Sequence, residues 1–235
     1  KQEPLPPYPY HTEEVKFPSV DSGVELNGTL TLPKESGKYP TVVLVSGSGT
    51  QNRDEELLGH KPFKVIADYL TRQGIIVLRY DDREFASKKY EGATSRNYAN
   101  DALGAVKFLK SIDKVDSKRI GIIGHSEGGT IAFMCAAQNK EIDFIVSLAG
   151  MAVAGDKCLQ EQNRRAIAIT GLSEEIQNKC IEVTQAIFDE TQKREVGDLR
   201  QSAKKIVDEL IAKHSAQNLP PALIQNFEKT LSTIT

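Results

Sequence analysis

Hydrophobic and polar residues alternate over residues 14–32, a pattern that predicts two strands with one face in solvent. Val15 and Phe17 lie on the first strand, and Asp21-Ser22-Gly23 supplies a turn before the alternation resumes. We therefore predict an antiparallel hairpin. Residues 1–13, which contain four prolines, are expected to form an extended arm ahead of it.

Four continuous apolar runs follow the hairpin, and each is typical of a strand covered on both faces by helices. They cover residues 41–45, 75–78, 119–123 and 144–149. Amphipathic stretches over residues 61–73 and 100–111 predict helices between them. Strands that alternate with helices at this spacing form right-handed βαβ units. Residues 14–152 are therefore predicted as an α/β domain with a mostly parallel central sheet and the antiparallel hairpin at one edge.

The pattern changes after Gly150, where helical periodicity continues without any strand signal. Helices are predicted over residues 156–170, 173–194, 198–214 and 221–233. Residues 153–235 thus form a helical region, for which two interpretations stay open. Its helices either pack against the sheet domain as ordinary core, or form a lid over an active site.

Composition excludes several classes of protein. The 235 residues are 39% hydrophobic and 26% charged, as in soluble globular proteins. The formal net charge of −2 provides no electrostatic attraction for nucleic acid or an anionic membrane. No apolar run is long enough to span a bilayer. The compartment stays open between cytoplasmic and, after removal of an N-terminal signal, periplasmic or secreted, because the chain begins with Lys1 rather than Met.

The three cysteines do not indicate a metal or a disulfide framework. Cys135, Cys158 and Cys180 are odd in number and widely spaced. They are expected to be free thiols that pack as small apolar side chains. No cofactor and no metal site is predicted.

The strongest candidate for chemistry is the turn Gly124-His125-Ser126-Glu127-Gly128, which follows a predicted strand and opens a predicted helix. It fits the G-x-S-x-G nucleophile elbow, in which a strained turn presents a serine hydroxyl above a sheet. Side chains at Gly124 or Gly128 would collide with neighbouring backbone. The helix that follows directs its amides at the turn and favours negative charge there. The alternative is an ordinary serine in a glycine-rich turn.

Three segments resemble the α/β-hydrolase superfamily, in particular bacterial serine esterases related to dienelactone hydrolases and prolyl-oligopeptidase-type hydrolases. They cover residues 44–49 with 52–54, residues 78–83, and residues 124–129. The resemblance implies that Ser126 attacks the carbonyl of a small-molecule ester, with thioesters or amides less favoured. It implies that the backbone amides of Glu127 and Ser48, with Gly49 next, bind the oxyanion. The alternative to an oxyanion-binding role is that residues 46–49 are only a flexible segment at the end of the strand.

Other residues near these segments receive structural roles. The resemblance implies that His125 packs beneath the turn. Glu127 is either a pocket-lining carboxylate or a solvated one at a helix start. Asp81 and Arg83 are expected to form an ion pair that holds their loop.

The catalytic acid and histidine are not evident in the chain. In the α/β-hydrolase order they follow the serine on two further strands, and no such strand patterns occur. His214 and Asp156 are weak candidates, so we expect the acid and histidine beyond Thr235, in a chain truncated at its C-terminus. The open sheet edge would then favour a homodimer. The alternative function is a non-catalytic binding module that holds an apolar ligand or partner under the helical lid.

Overall fold

The computed structural model describes most of the chain. The described residues are 3–86, 90, 92–169, 171, 173–192, 201, 204–205, 208–209 and 212. The helix predicted over residues 221–233, most of the one predicted over 198–214, and His214 lie outside them. The chain divides into two compact units, residues 1–152 and 153–235.

The first unit is built on a six-stranded sheet. Its strands are β1 (His11–Pro18), β2 (Glu25–Leu32), β3 (Tyr39–Val45), β4 (Ile76–Tyr80), β5 (Val115–His125) and β6 (Phe144–Leu148). Their spatial order is β1-β2-β4-β3-β5-β6. Strand β2 is antiparallel to both β1 and β4, whereas β4, β3, β5 and β6 run parallel. The predicted α/β fold with an antiparallel hairpin at one edge is confirmed.

Helices cover both faces of this sheet. They are α1 (Pro62–Arg72), α2 (Arg83–Ala86), α3 (Ser95–Leu109) and α4 (Glu127–Gln138). Val43 and Leu78 of the central strands share a core with Leu109 of α3, and Leu44 packs on the other side with Phe63 of α1. Burial on both faces explains why β3 and β4 are continuous apolar runs in the sequence.

Helix α3 begins five residues before its predicted start at residue 100. The residues of its first turn are polar, so the apolar periodicity does not reveal it. A capping box starts the helix instead, in which the Thr94 amide donates to the Asn97 side chain at 3.0 Å.

Strand β6 differs from its prediction as a strand buried on both faces. Phe144, Val146 and Leu148 are 36–39% exposed. The expectation was wrong because β6 is the last strand in the sheet order and pairs with β5 alone among the described strands. An apolar run does not distinguish a central strand from an edge strand.

The N-terminal arm is attached to helix α1. Tyr10 is buried, and its hydroxyl donates to Asp68 at 2.8 Å. Lys64 of the same helix pairs with Glu3 at 2.8 Å. Strand β1 begins at His11, within the segment predicted as the arm, because pairing with β2 extends to Leu32.

The described part of the second unit contains helices α5 (Gly155–Ala168) and α6 (Glu174–Gln192). Glu161 of α5 binds Arg164 and Arg165, one turn further along. Among the described residues, we find no helix with the length and apolar character to cross a bilayer.

The parallel strands determine where the first unit can hold a site. Because β3, β4 and β5 run in the same direction, the segments that follow them meet at one edge of the sheet. Those segments are residues 46–51, 81–83 and 124–129. Ligands of open α/β sheets bind at this carboxyl edge.

Candidate active site

Ser126 lies between the last residue of β5 and the first residue of α4. Its φ of 52° and ψ of −116° are rarely adopted by a residue other than glycine. The Ser126 amide donates to the Leu148 carbonyl at 2.9 Å, and its carbonyl accepts from the Gly129 amide at 3.0 Å. Strand β6 and the first turn of α4 thus hold the serine backbone in a strained conformation.

The glycines of this turn have the steric role that the sequence predicts. A Cβ on Gly124 would lie 1.9 Å from the Gly128 carbonyl oxygen. A Cβ on Gly128 would lie 2.2 Å from the carbonyl oxygen of Val45, at the end of β3. Both contacts are with backbone, so only glycine fits at either position. The turn is therefore packed tightly against the end of the neighbouring strand.

The loop over residues 46–51 is attached to Asp82, which follows β4. The Ser46 hydroxyl and the Gln51 amide each donate to one Asp82 carboxylate oxygen at 2.8 Å. Burial raises the pKa of Asp82 to about 7, and the negative charge of Glu84 adds to this effect. Both ends of the loop are thus held by one buried carboxyl group.

Ser48 and Gly49 are exposed in the middle of this loop. Among the described residues, the Ser48 amide has no protein acceptor, whereas the preceding Gly47 amide donates to Glu55 at 2.7 Å. A Cβ on Gly47 would lie 3.2 Å from the Cβ of Ser126. The loop therefore runs directly alongside the serine.

His125 binds Glu55 and is half-exposed. Its Nδ1 lies 2.8 Å from Glu55 Oε1, and because a carboxylate only accepts, Nδ1 carries the proton. Glu55 is buried and was missed by the sequence reasoning. Its place directly after Asn52-Arg53-Asp54 was the signal that could have identified it.

A small open cavity lies beside the turn and the loop. It is lined by Val45, Ser46, Gly47, Tyr80, Asp82, Tyr98, Glu127 and Ile131. The carboxylate of Glu127 accepts from the Ser95 hydroxyl at 2.5 Å, and Tyr98 donates to Glu84 at 2.6 Å. Glu127 therefore lines the cavity, and its carboxylate also accepts a hydrogen bond from Ser95.

The prediction of an ion pair between Asp81 and Arg83 is wrong. Asp81 binds Arg53 at 2.6 Å, whereas Arg83 binds Asp101 at 2.7 Å and Asp21 at 2.8 Å. Arg83 is the first residue of α2. The chain therefore turns into a helix between the two residues, which directs Arg83 to α3 instead.

The two remaining candidates do not belong to the described residues of the first unit. Asp156 belongs to the first turn of α5 in the second unit, and His214 lies outside the described residues. Within the described part of the chain, no three His, Cys, Asp or Glu side chains are grouped so as to hold a metal ion.

Comparison with known families places the chain among hydrolases. The family model described as acetyl xylan esterase (AXE1) matches residues 11–151. A second model, described as the C-terminal part of BAAT and acyl-CoA thioester hydrolases, matches residues 103–215.

Individual relatives agree with these matches. Esterase EstD of Thermotoga maritima is 37% identical over 157 residues, which are 66% of this chain and 37% of EstD. Polyketide transferase ClaH of Penicillium crustosum is 28% identical over 62% of this chain and 46% of its own length. The crystal structure of the α/β hydrolase GrgF from Penicillium sp. sh18 superimposes with a TM-score of 0.50 at 21% identity, over 68% of this chain and 53% of GrgF.

The chain spans about half or less of the length of these two curated relatives. The likeness to GrgF concerns the fold alone. Since the AXE1 model covers 141 of the 235 residues and the sheet has the strand order and direction described above, the chain belongs to the acetyl xylan esterase (AXE1) family of α/β-hydrolases.

Proposed function

We propose that the protein is a serine esterase that cleaves carboxylic esters through an acyl-enzyme on Ser126. The observation that carries the proposal is the strained backbone of Ser126 at the start of α4, next to an open cavity. No described group accepts or donates a hydrogen bond at its hydroxyl. Backbone strain of this kind is retained at functional sites because it places one group for reaction.

The oxyanion that forms on attack needs backbone donors that are already in place. We assign this role to the amide of Glu127, the first residue of α4, and to the amide of Ser48, with Gly49 next to it. The partial positive charge at the start of the helix favours the oxyanion. The attachment of the loop to Asp82 keeps Ser48 in place before substrate binds.

The proton of Ser126 must pass to a base during attack. We do not assign this role to His125, because no hydrogen bond among the described residues joins its ring to the Ser126 hydroxyl and it directly precedes the serine in the chain. The base therefore stays a prediction from the family resemblance, as a histidine that follows an acid in chain order. The role of the helical region as a lid also stays a prediction.

We propose a short acyl group as the preferred substrate, because the AXE1 family is named for an acetyl ester. Val45 and Ile131 give the cavity an apolar wall against which such a group can pack. The match to thioester hydrolases keeps thioesters as the second substrate class.

Covalent labelling tests the proposal. A fluorophosphonate probe should label the full-length protein, and the label should map to Ser126. Ser126→Ala should abolish labelling and lower the rate of p-nitrophenyl acetate hydrolysis at least about 10³-fold. Ser111→Ala is the matched control, because Ser111 is exposed and, within the described part of the chain, its hydroxyl binds only the Phe108 carbonyl.

Two results would contradict this function. Labelling that survives Ser126→Ala would place the nucleophile elsewhere. A folded full-length protein that neither reacts with the probe nor hydrolyses esters or thioesters would instead support the binding module.

A further inference from the structure

One carboxylate oxygen joins the two segments beside Ser126. Glu55 Oε1 accepts a hydrogen bond from the Gly47 amide at 2.7 Å and lies 2.8 Å from Nδ1 of His125. Gly47 belongs to the loop after β3, and His125 is the last residue of β5. The loop and the strand are therefore connected through a single side chain.

The backbone around Glu55 is shaped to direct this side chain inward. Its φ of 49° is in the left-handed region, which a residue with a Cβ rarely adopts. The Glu55 amide donates to the Asn52 carbonyl at 2.9 Å, and the Asn52 side chain accepts from the Asp54 amide at 3.0 Å. This turn holds the strained residue and keeps Glu55 buried.

Gly47 is enclosed between Glu55 and the serine. A Cβ at this position would lie 3.1 Å from Glu55 Oε1 and 3.2 Å from the Cβ of Ser126. The hydrogen bond to Glu55 occupies the Gly47 amide, so the next amide able to face a substrate is that of Ser48. A shift of Gly47 would move Ser48 with it.

We propose that Glu55 is a positioning residue for the esterase, which sets the distance between the Ser48 amide and Ser126 by binding Gly47 and His125 together. The inference rests on the function proposed above. Glu55 acts through its reach and its capacity to accept two hydrogen bonds, not through its charge.

Three substitutions of Glu55 distinguish the effect of its side-chain length from the effect of its charge. Glu55→Asp keeps the charge but shortens the side chain, and Glu55→Ala removes the acceptor. Both should lower kcat for p-nitrophenyl acetate at least about tenfold with KM within about twofold, because donors aimed at the oxyanion act in the transition state. Glu55→Gln keeps an oxygen at the same reach, so its kcat should stay within about threefold of the wild type.

Glu56→Ala is the matched control. Glu56 is the next residue in the loop, is exposed, and pairs with Lys61 at 3.8 Å. Its kcat should equal that of the wild type. Each variant is compared below the onset of its thermal unfolding, and Glu55→Asp serves if Glu55→Ala does not fold. A loss in Glu55→Gln as large as in Glu55→Ala, a change in KM alone, or a wild-type kcat in Glu55→Asp would overturn the proposal.

Hydrogen exchange provides a readout that does not depend on activity. In Glu55→Ala and Glu55→Asp, the hydrogen-bonded amides of this loop, those of Gly47 and Gln51, should exchange at least about tenfold faster, while those of helix α3 stay unchanged. If the wild type shows no Ser126-dependent hydrolysis, the proposed function fails, and exchange alone then decides whether Glu55 holds this loop. Unchanged exchange in both variants would show that it does not.

Discussion

The turn at residues 124–129 and the loop at residues 46–51 both lie next to Ser126, but different interactions hold them. The turn is held by close backbone packing, since a methyl group on Gly124 or Gly128 would overlap a carbonyl. The loop is held by two buried carboxyl groups, Asp82 and Glu55, which accept hydrogen bonds from it.

This difference determines how each segment responds to change. Close packing tolerates no added atom, because the neighbouring atoms belong to the backbone and displacing them costs free energy. Hydrogen bonds to a carboxyl group depend instead on its protonation and on the length of its side chain. The turn is therefore sensitive to added side-chain volume. The loop is sensitive to the length and the protonation of the carboxyl side chains that bind it.

The largest effect should come from adding volume to the turn. We expect Gly124→Ala to lower the free energy of unfolding by at least about 3 kcal/mol, because its Cβ would lie 1.9 Å from a backbone oxygen. Gly59→Ala is the control, since Gly59 has a φ of 75° but no atom within 4 Å of an added Cβ. It should lose only about 1 kcal/mol. Urea unfolding measures both, and equal losses would show that packing does not hold the turn.

The pH dependence of the loop should give an effect of comparable size. The pKa of Asp82 is raised by burial from 3.8 to about 7, so between these pH values the folded protein binds a proton that the unfolded chain has released. The contribution of Asp82 to stability therefore falls as pH rises from about 4 to 7, by about 4 kcal/mol at most.

The variant Asp82→Asn tests that contribution, because an asparagine does not ionise. The difference in unfolding free energy between wild type and variant, measured from pH 4 to pH 7, should change in favour of the variant as pH rises. A difference that is constant over this range would show that Asp82 titrates normally.

The smallest effect concerns the strain at Ser126. Both Ser126→Ala and Ser126→Gly remove the hydroxyl, but only glycine adopts a φ of 52° and a ψ of −116° without strain. We expect Ser126→Gly to be more stable than Ser126→Ala by about 1 kcal/mol. Chemical denaturation of the two variants measures this, and a more stable alanine variant would argue against stored strain.

Much of the fold could be predicted because its signals are local. The buried strands β3 and β4 can be recognised in the sequence as continuous apolar runs. The turn at Ser126 can be recognised by its closely spaced glycines. The start of α3 was missed because a cap of Thr94 and Asn97, not apolar periodicity, begins it. The exposure of β6 was missed because an apolar run carries no information about its place in the sheet.

The candidate site was predictable only in part, for a related reason. The serine, its glycines and the loop at 46–49 are contiguous motifs. The proposed role of Glu55 depends on its contacts with Gly47 and His125. His125 is 70 residues away in the sequence. No spacing rule connects residues so far apart before the chain has folded.

The sequence alone determined the order of strands and helices and the glycines at the Ser126 turn. Periodicity and backbone sterics act between near neighbours, so both are written in consecutive residues. Only the tertiary structure decided that Arg83 binds Asp101 and not Asp81, and that Glu55 connects a loop to a strand. The partners of a charged group are chosen by whichever segments the packed sheet brings within hydrogen-bond distance.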